Sequence, residues 1–250
     1  MEWYFIPALI FAGFLCGFIN VLAGSGSLIS LPLLMFMGLP ANVANGTNRI
    51  AILLQNVVGV TSFKQQKVFK LNEGIWLAIP AVVGSLIGAA LAINMNDVIM
   101  TRVIGGLLVF MFFIILFKPD AWIKGQAGII QSKPSWWQIL IFFGIGLYGG
   151  FIQAGVGFFL LAGLVLGAGF DLVKANAIKL LIVLIYTPFA LAVFIYTDQV
   201  NWKAGLILGV GNMLGAYVAS RYAVSWGAKV VRIILLVIVM AASVKLLLFP

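Results

Sequence analysis

The sequence predicts an all-α membrane protein: a polytopic helical bundle of two inverted-topology repeats, about five membrane segments each, the second of each short or re-entrant. Three observations predict it. Apolar residues make up 64% of the 250 and charged residues only 8%, with a mean hydropathy of +1.19; a soluble domain is nearer half apolar and a quarter charged. The apolar residues gather into ten segments, several near the ~20 residues a spanning helix needs. The last five segments repeat the first five at a constant offset of 131 residues. So few charges exclude a soluble enzyme and a disordered chain. The net charge is +9, but the 15 Lys and Arg are spread between apolar runs and form no single basic face, so nucleic acid is not an expected partner.

Taken in order, segment 3–22 follows Met1-Glu2 with no Lys or Arg before Arg49. That absence reads as a retained membrane segment and not a cleavable signal. It holds Cys16, the sole cysteine, so no intramolecular disulfide is expected. Segment 26–38 is short and follows a glycine break, Ala23-Gly24-Ser25-Gly26-Ser27. Segment 43–63 opens on Asn45-Gly46-Thr47-Asn48-Arg49. Segments 74–94 and 98–117 complete repeat 1, residues 1–117. The stretch 118–135, with Lys118, Lys124, Lys133, Pro119 and Pro134, reads as a cytoplasmic linker. Repeat 2, residues 136–250, holds segments 136–153, 155–169, 174–196, 203–220 and 229–249. Its short second segment again follows a break, Ala154-Gly155-Val156-Gly157.

The register of the repeat is carried by residues that chance seldom aligns. Gly13 meets Gly144, and Gly24 and Gly26 meet Gly155 and Gly157. Gly38 meets Gly169, Ala44-Asn45 meets Ala175-Asn176, and Gly84 meets Gly215. Charge sets the orientation. Lys64, Lys67 and Lys70 in loop 64–73, Lys174 and Lys179 at 170–179, and Arg221, Lys229 and Arg232 at 221–232 belong inside, as does the linker. Turn 197–202 has Asp198 and no cation, so it belongs outside. Loop 64–73 and its mate 197–202 thus lie on opposite sides. The halves are inverted, with an odd number of crossings in each and both termini outside. Inverted repeats are a transporter pattern, in which the halves rock about a site near the midplane.

The two glycine breaks mark that site. A helix that starts inside the membrane exposes unpaired N–H groups and the positive end of its dipole. Glycine lets a ligand approach the backbone closely. Gly24, Ser25, Gly26 and Ser27 in one half, with Gly155 and Gly157 in the other, thus make an anion cradle without a charge. Packing of helices is the competing role, and it suits Gly84/Gly88 and Gly211/Gly215 better. A second cluster opens segment three of each half: Asn45, Thr47, Asn48 and Arg49, against Asn176 and Lys179. Each half supplies an Asn and, one helical turn later, a cation. Substrate contact and snorkelling compete for those cations. Asn20 and Gln153 each precede a break by a few residues and join the candidate site; Gln55 and Asn56 read as helix–helix hydrogen bonders.

All six acidic residues fall at segment ends or in loops, and there is no His. No mid-depth carboxylate is left to relay protons, and no metal or cofactor site is expected. Enzyme chemistry lacks a motif: no H-E-x-x-H, no paired intramembrane Asp, and no His beside Gly24-Ser25-Gly26. Trp3, Tyr4, Trp122, Trp136, Trp137, Tyr196, Trp202 and Trp226 stand at segment ends as an interfacial belt.

The run Gly17-Phe18-Ile19-Asn20-Val21-Leu22-Ala23-Gly24-Ser25-Gly26-Ser27-Leu28-Ile29-Ser30-Leu31-Pro32, with Gly38-Leu39-Pro40 and Gly46-Thr47-Asn48-Arg49, resembles the sulfite exporter TauE/SafE family. Gly149-Gly150-Phe151 through Gly155-Val156-Gly157-Phe158-Phe159, and Ala175-Asn176-Ala177, resemble the same family's second repeat. Ser25 and Ser27 stand where glycine is common in that family, and Gln153-Ala154 replaces a more usual small or Pro-containing stretch. The resemblance implies a multi-pass permease of the bacterial inner membrane. It would act on a small anionic substrate such as sulfite or a sulfonate, with export, uptake and channel conduction all open.

Overall fold

A computed structural model describes residues 5–117 and 135–222. The expected tenth segment 229–249, the linker apart from Ser135, and Trp3, Tyr4, Trp122 and Trp226 lie outside them. Every described element is helical: α1 Phe5–Ala23, α2 Ser27–Phe36, α3 Ala41–Gln65, α4 Asn72–Ile93, α5 Asp97–Phe117, α6 Trp136–Phe151, α7 Val156–Ala162 running into a π-helical stretch Gly163–Gly167, α8 Leu172–Tyr196 and α9 Trp202–Tyr222. Three stretches are long and apolar enough to cross a bilayer by length and composition alone, Ile6–Ala23, Asn72–Ile93 and Leu172–Tyr196. Helix α3 is as long as α8, about 37 Å at 1.5 Å per residue, but carries Asn45, Asn48, Arg49, Gln55 and Asn56. All five side chains are buried. In a bilayer such a stripe is tolerated where protein covers it, and α8, α9 and the neighbouring helices cover it here.

Local chemistry places the ends. Ser135 accepts from the Gln138 N–H while Gln138 Oε1 accepts from the Ser135 N–H, a reciprocal cap that starts α6. Asp171 caps α8 by accepting from the Lys174 N–H at 2.9 Å. Left-handed backbone appears at six described residues, and they form three pairs at the offset of 131: Gly24 and Gly155 (φ +73 and +74), Gly38 and Gly169, Lys67 and Asp198. The turn after α3 and the turn after α8 share their hydrogen bonds as well. Gln66, Lys67 and Val68 donate to Ser62, Lys64 and Phe63, as Thr197, Asp198 and Gln199 donate to Val193, Ile195 and Phe194.

Glycine seams fix the directions of the helices. Gly13 and Gly17 of α1 lie on the backbone of α9 at Leu208–Asn212, and Gly211 and Gly215 of α9 lie on Ile10, Phe14 and Phe18. The numbers rise together, so α1 and α9 are parallel. Gly84 and Gly88 of α4 lie in the same way on Phe143, Leu147 and Phe151 of α6. A methyl group at any of these positions would enter the neighbouring backbone, which is the packing role expected of Gly84/Gly88 and Gly211/Gly215. Thr47, Gln55 and Ser62 of α3 meet Asn201 just ahead of α9 and Asn212 and Ser220 within it, again in parallel. Helices α4 and α8 begin side by side, where Lys174 pairs with Glu73 at 2.9 Å. By contrast Gly46 touches Phe194 while Gly59 touches Leu180, so α3 and α8 are antiparallel. Helices α1, α3 and α9 therefore run one way and α4, α6 and α8 the other.

Trp136, Trp137, Tyr196 and Trp202 are exposed at helix ends. Exposed apolar side chains such as Trp76, Ile79, Val83 and Leu91 line the outward face of α4, the distribution a hydrocarbon solvent favours.

Candidate functional site

The chain breaks twice at matched positions, and the two breaks touch. Helix α1 stops at Ala23, Gly24 turns left-handed and α2 starts at Ser27. Helix α6 stops at Phe151, Ile152 is extended, Gly155 turns left-handed and α7 starts at Val156. A Cβ on Gly24 would lie 2.3 Å from the carbonyl carbon of Gly157, and one on Gly157 would lie 2.5 Å from Gly24 Cα. Backbone meets backbone there because neither residue has a side chain. Gly24, Ser25, Gly26, Ser27, Gly155 and Gly157 are all buried. Gly26 rests on the Cys16 carbonyl and Gly155 on the Met111 side chain.

The two cations do something the sequence did not suggest. Arg49 is fully buried and its guanidinium donates to the carbonyls of Gly149 and Gly150 at 3.1 and 2.5 Å, to Gln153 Oε1 at 3.1 Å and to Asn45 Oδ1 at 3.4 Å. The Phe194 ring lies 4.7 Å away. Asn45 Nδ2 donates to the Phe151 carbonyl at 2.7 Å. The last turn of α6 is therefore capped by side chains of α3. Lys179 is 1% exposed; its ammonium donates to the carbonyls of Asn20 and Val21 at 2.8 and 3.1 Å and to Asn176 Oδ1 at 2.8 Å. The last turn of α1 is capped from α8. Snorkelling, the competing role for both residues, is excluded by their burial. Each cation neutralises the negative end of a helix dipole. Among the described residues neither has a carboxylate in salt-bridge range.

That leaves the positive ends, at the starts of α2 and α7, without a counter-charge. Around them stand buried donors that satisfy nothing. Ser25 Oγ, Asn48 Nδ2, Arg49 Nε and Gln55 Nε2 have no hydrogen-bond partner. Their other atoms are held: Asn48 Oδ1 accepts from Ser30 Oγ at 2.7 Å, and Gln55 Oε1 accepts from Asn20 Nδ2 at 3.2 Å and from Asn212 Nδ2 at 3.3 Å. Buried polar atoms left unpaired are costly and uncommon; beside these four donors, the acceptors Asn56 Oδ1 and Asn212 Oδ1 are also buried and unpaired.

Most of the expected residues are thus tied to the breaks directly or through these bonds: Asn20, Gly24, Ser25, Gly26, Ser27, Asn45, Asn48, Arg49, Gln153, Gly155, Gly157, Asn176 and Lys179. Thr47 is turned elsewhere. Its Oγ1 accepts from the Asn201 N–H at 2.8 Å and anchors the α8–α9 turn. Several participants were not expected. Cys16 donates to Ser30 at 3.4 Å, Tyr186 accepts from Gln153 Nε2 at 3.1 Å, and Asn212 and Thr187 are fully buried polar residues. The repeat carried a signal for two of them: Gln55 and Asn56 align with Tyr186 and Thr187 at the offset of 131.

Comparison with known proteins bears on this arrangement. The profile of the family described as "Sulfite exporter TauE/SafE" matches residues 9–246. A Sinorhizobium sp protein, "Probable membrane transporter protein ORF9", is 29% identical over all 250 residues and 95% of its own length. The "Probable membrane transporter protein YfcA" of Escherichia coli K12 is 30% identical over 244 residues, 97% of this chain and 89% of its own. A "Probable membrane transporter protein" of Haemophilus influenzae is 25% identical over 229 residues, 91% of this chain and 88% of its own. No solved structure matches the chain.

Proposed function

We infer the function from one premise: the chain belongs to the sulfite exporter TauE/SafE family and is a membrane transporter. Its cargo is a small anion, a sulfur oxyanion such as sulfite or an organosulfonate, carried outward by alternating access between two inverted repeats in the bacterial inner membrane. The observation that carries this reading is the backbone contact of Gly24 with Gly157. Two helix starts lie face to face inside the bundle, and the neighbouring Ser25, Asn48, Arg49 and Gln55 hold buried unpaired donors. Oxyanions accept hydrogen bonds and offer none, which suits helix starts and free donors. The inversion is supported by the antiparallel α3 and α8 and by the three left-handed pairs at one offset. The closed breaks are then an occluded state, which opens to either side when the halves rock. An interior-negative membrane potential drives an anion outward with about 2.3 kcal/mol per charge per 100 mV, so export requires no proton relay.

The test is flux in proteoliposomes holding the purified chain and isotopically labelled sulfite, sulfate, thiosulfate or methanesulfonate. Saturable efflux, accelerated by an imposed interior-negative potential and by unlabelled anion on the far side, is the expected result. Absence of flux for all four anions refutes the reading. Non-saturating flux without counterflow replaces the carrier with a channel.

A further inference from the structure

We propose that Arg49 and Lys179 are latches that hold the breaks closed, and that an arriving anion releases them by drawing each cation off the helix end it caps. The proposal rests on the transport reading above and adds what opens the site. Each latch joins the two halves: Arg49 on α3 holds the end of α6, and Lys179 on α8 holds the end of α1. Each acts within about one helical turn of a break, since Gln153, also bonded to Arg49, lies two residues before Gly155, and Asn20 and Val21 lie just before Gly24. The bonds are adequate but replaceable. A helix C-terminus presents roughly half a negative charge, whereas an oxyanion presents a full one and bonds a guanidinium in a paired geometry. Arg49 keeps one donor of such a pair free, Nε, which is buried with no partner; the second must come from an Nη that gives up a carbonyl or amide it now bonds. With no carboxylate competing, a ligand anion is the stronger acceptor for both cations.

The chain supplies its own reporter. Cys16 is the sole cysteine, lies one turn before Asn20 on α1, and is fully buried with Gly26 seated on its carbonyl. Cys16 faces α2 through Ser30 and Gly26, so a parting of the end of α1 from α2 uncovers it. The experiment measures the rate of N-ethylmaleimide labelling of Cys16 in the reconstituted full chain, with methanesulfonate or with chloride, alongside methanesulfonate flux. Wild type is expected to label slowly in chloride and about tenfold faster in methanesulfonate, the factor that loss of one charge-assisted hydrogen bond produces. Arg49→Gln and Lys179→Gln are expected to label fast in either salt, and Arg49→Lys to retain the dependence on methanesulfonate. If Arg49→Gln does not fold, Lys179→Gln and Arg49→Lys carry the same comparison. Methanesulfonate flux with no change in labelling overturns the latch and leaves transport standing. Fast labelling of both Gln variants, with wild type accelerated by methanesulfonate but no methanesulfonate flux, supports the latch and overturns methanesulfonate as a transported cargo.

Discussion

Three alanine substitutions separate what the glycine break does for folding from what it does for transport. Gly38 is left-handed, at φ +89, with nothing within 4 Å of where a Cβ would stand. Gly38→Ala therefore isolates backbone strain, about 1–2 kcal/mol. Gly157 is not left-handed, but its Cβ would stand 2.5 Å from Gly24 Cα. Gly157→Ala isolates the clash, about 1–3 kcal/mol for an overpacked contact. Gly24→Ala combines the two, at φ +73 and 2.3 Å from Gly157, for about 2–5 kcal/mol. At about 2–4 °C per kcal/mol for a chain of this size, all three lower the melting temperature in detergent measurably, and the first two by similar amounts. Flux divides them. Gly38→Ala should transport as wild type does per folded molecule, while Gly157→Ala and Gly24→Ala should not, since the methyl group occupies the contact on which both states turn. The double variant should cost less than the sum of its parts, because either methyl alone forces the breaks apart. Wild-type flux from Gly157→Ala, at the same stability loss as Gly38→Ala, would refute the reasoning.

Two further substitutions follow from individual atoms. Ser25 Oγ is buried without a partner, so Ser25→Ala should leave the melting temperature unchanged or raised while lifting the KM for the anion about tenfold, one charge-assisted bond; a lowered melting temperature at constant KM would make Ser25 structural. Gly13 and Gly144 are repeat mates with opposite surroundings, the first 2.4 Å from the Leu208 carbonyl and the second in open space. Thermal unfolding should show Gly13→Ala strongly destabilised and Gly144→Ala equal to wild type or better by up to about 1 kcal/mol of helix propensity.

The sequence spoke clearly where one residue type has one physical meaning. Gly24 and Gly155 sit where the chain must turn left-handed, and Gly84 and Gly211 where backbones touch; both demands select glycine and both show as periodic glycines. Asn45 and Asn176 were legible as matched partners of a cation one turn on, and each bonds that cation. The backbone partners of those cations were not legible. Arg49 and Lys179 each bond two backbone carbonyls, and every residue has a carbonyl, so no side chain in the sequence marks Gly149, Gly150, Asn20 or Val21 as acceptors. Thr47 misled because a hydroxyl beside Asn48 and Arg49 shares their segment but not their face. Tyr186 and Thr187 sit in an apolar run, where Tyr is as common at a lipid interface as in a buried network.

The distribution of charge explains how cations buried among the described residues, with no carboxylate beside them, are accommodated. A bare cation at membrane depth is costly, and so is the bare negative end of a broken helix. Placing Arg49 at the end of α6 and Lys179 at the end of α1 relieves both. A whole positive charge set against about half a negative one leaves a residue of roughly half a charge at each break. Both residues lie beside the uncompensated starts of α2 and α7, and Arg49 Nε is a buried unpaired donor, so the potential there is positive. A carboxylate salt bridge in either place would cancel that potential and give the cation a partner no small anion displaces. No acidic side chain is buried among the described residues, and a carboxylate introduced beside a cation would change that balance. Introducing a carboxylate next to Arg49, as in Gln153→Glu, should stabilise the closed state and abolish flux together, visible as a raised melting temperature in an inactive protein.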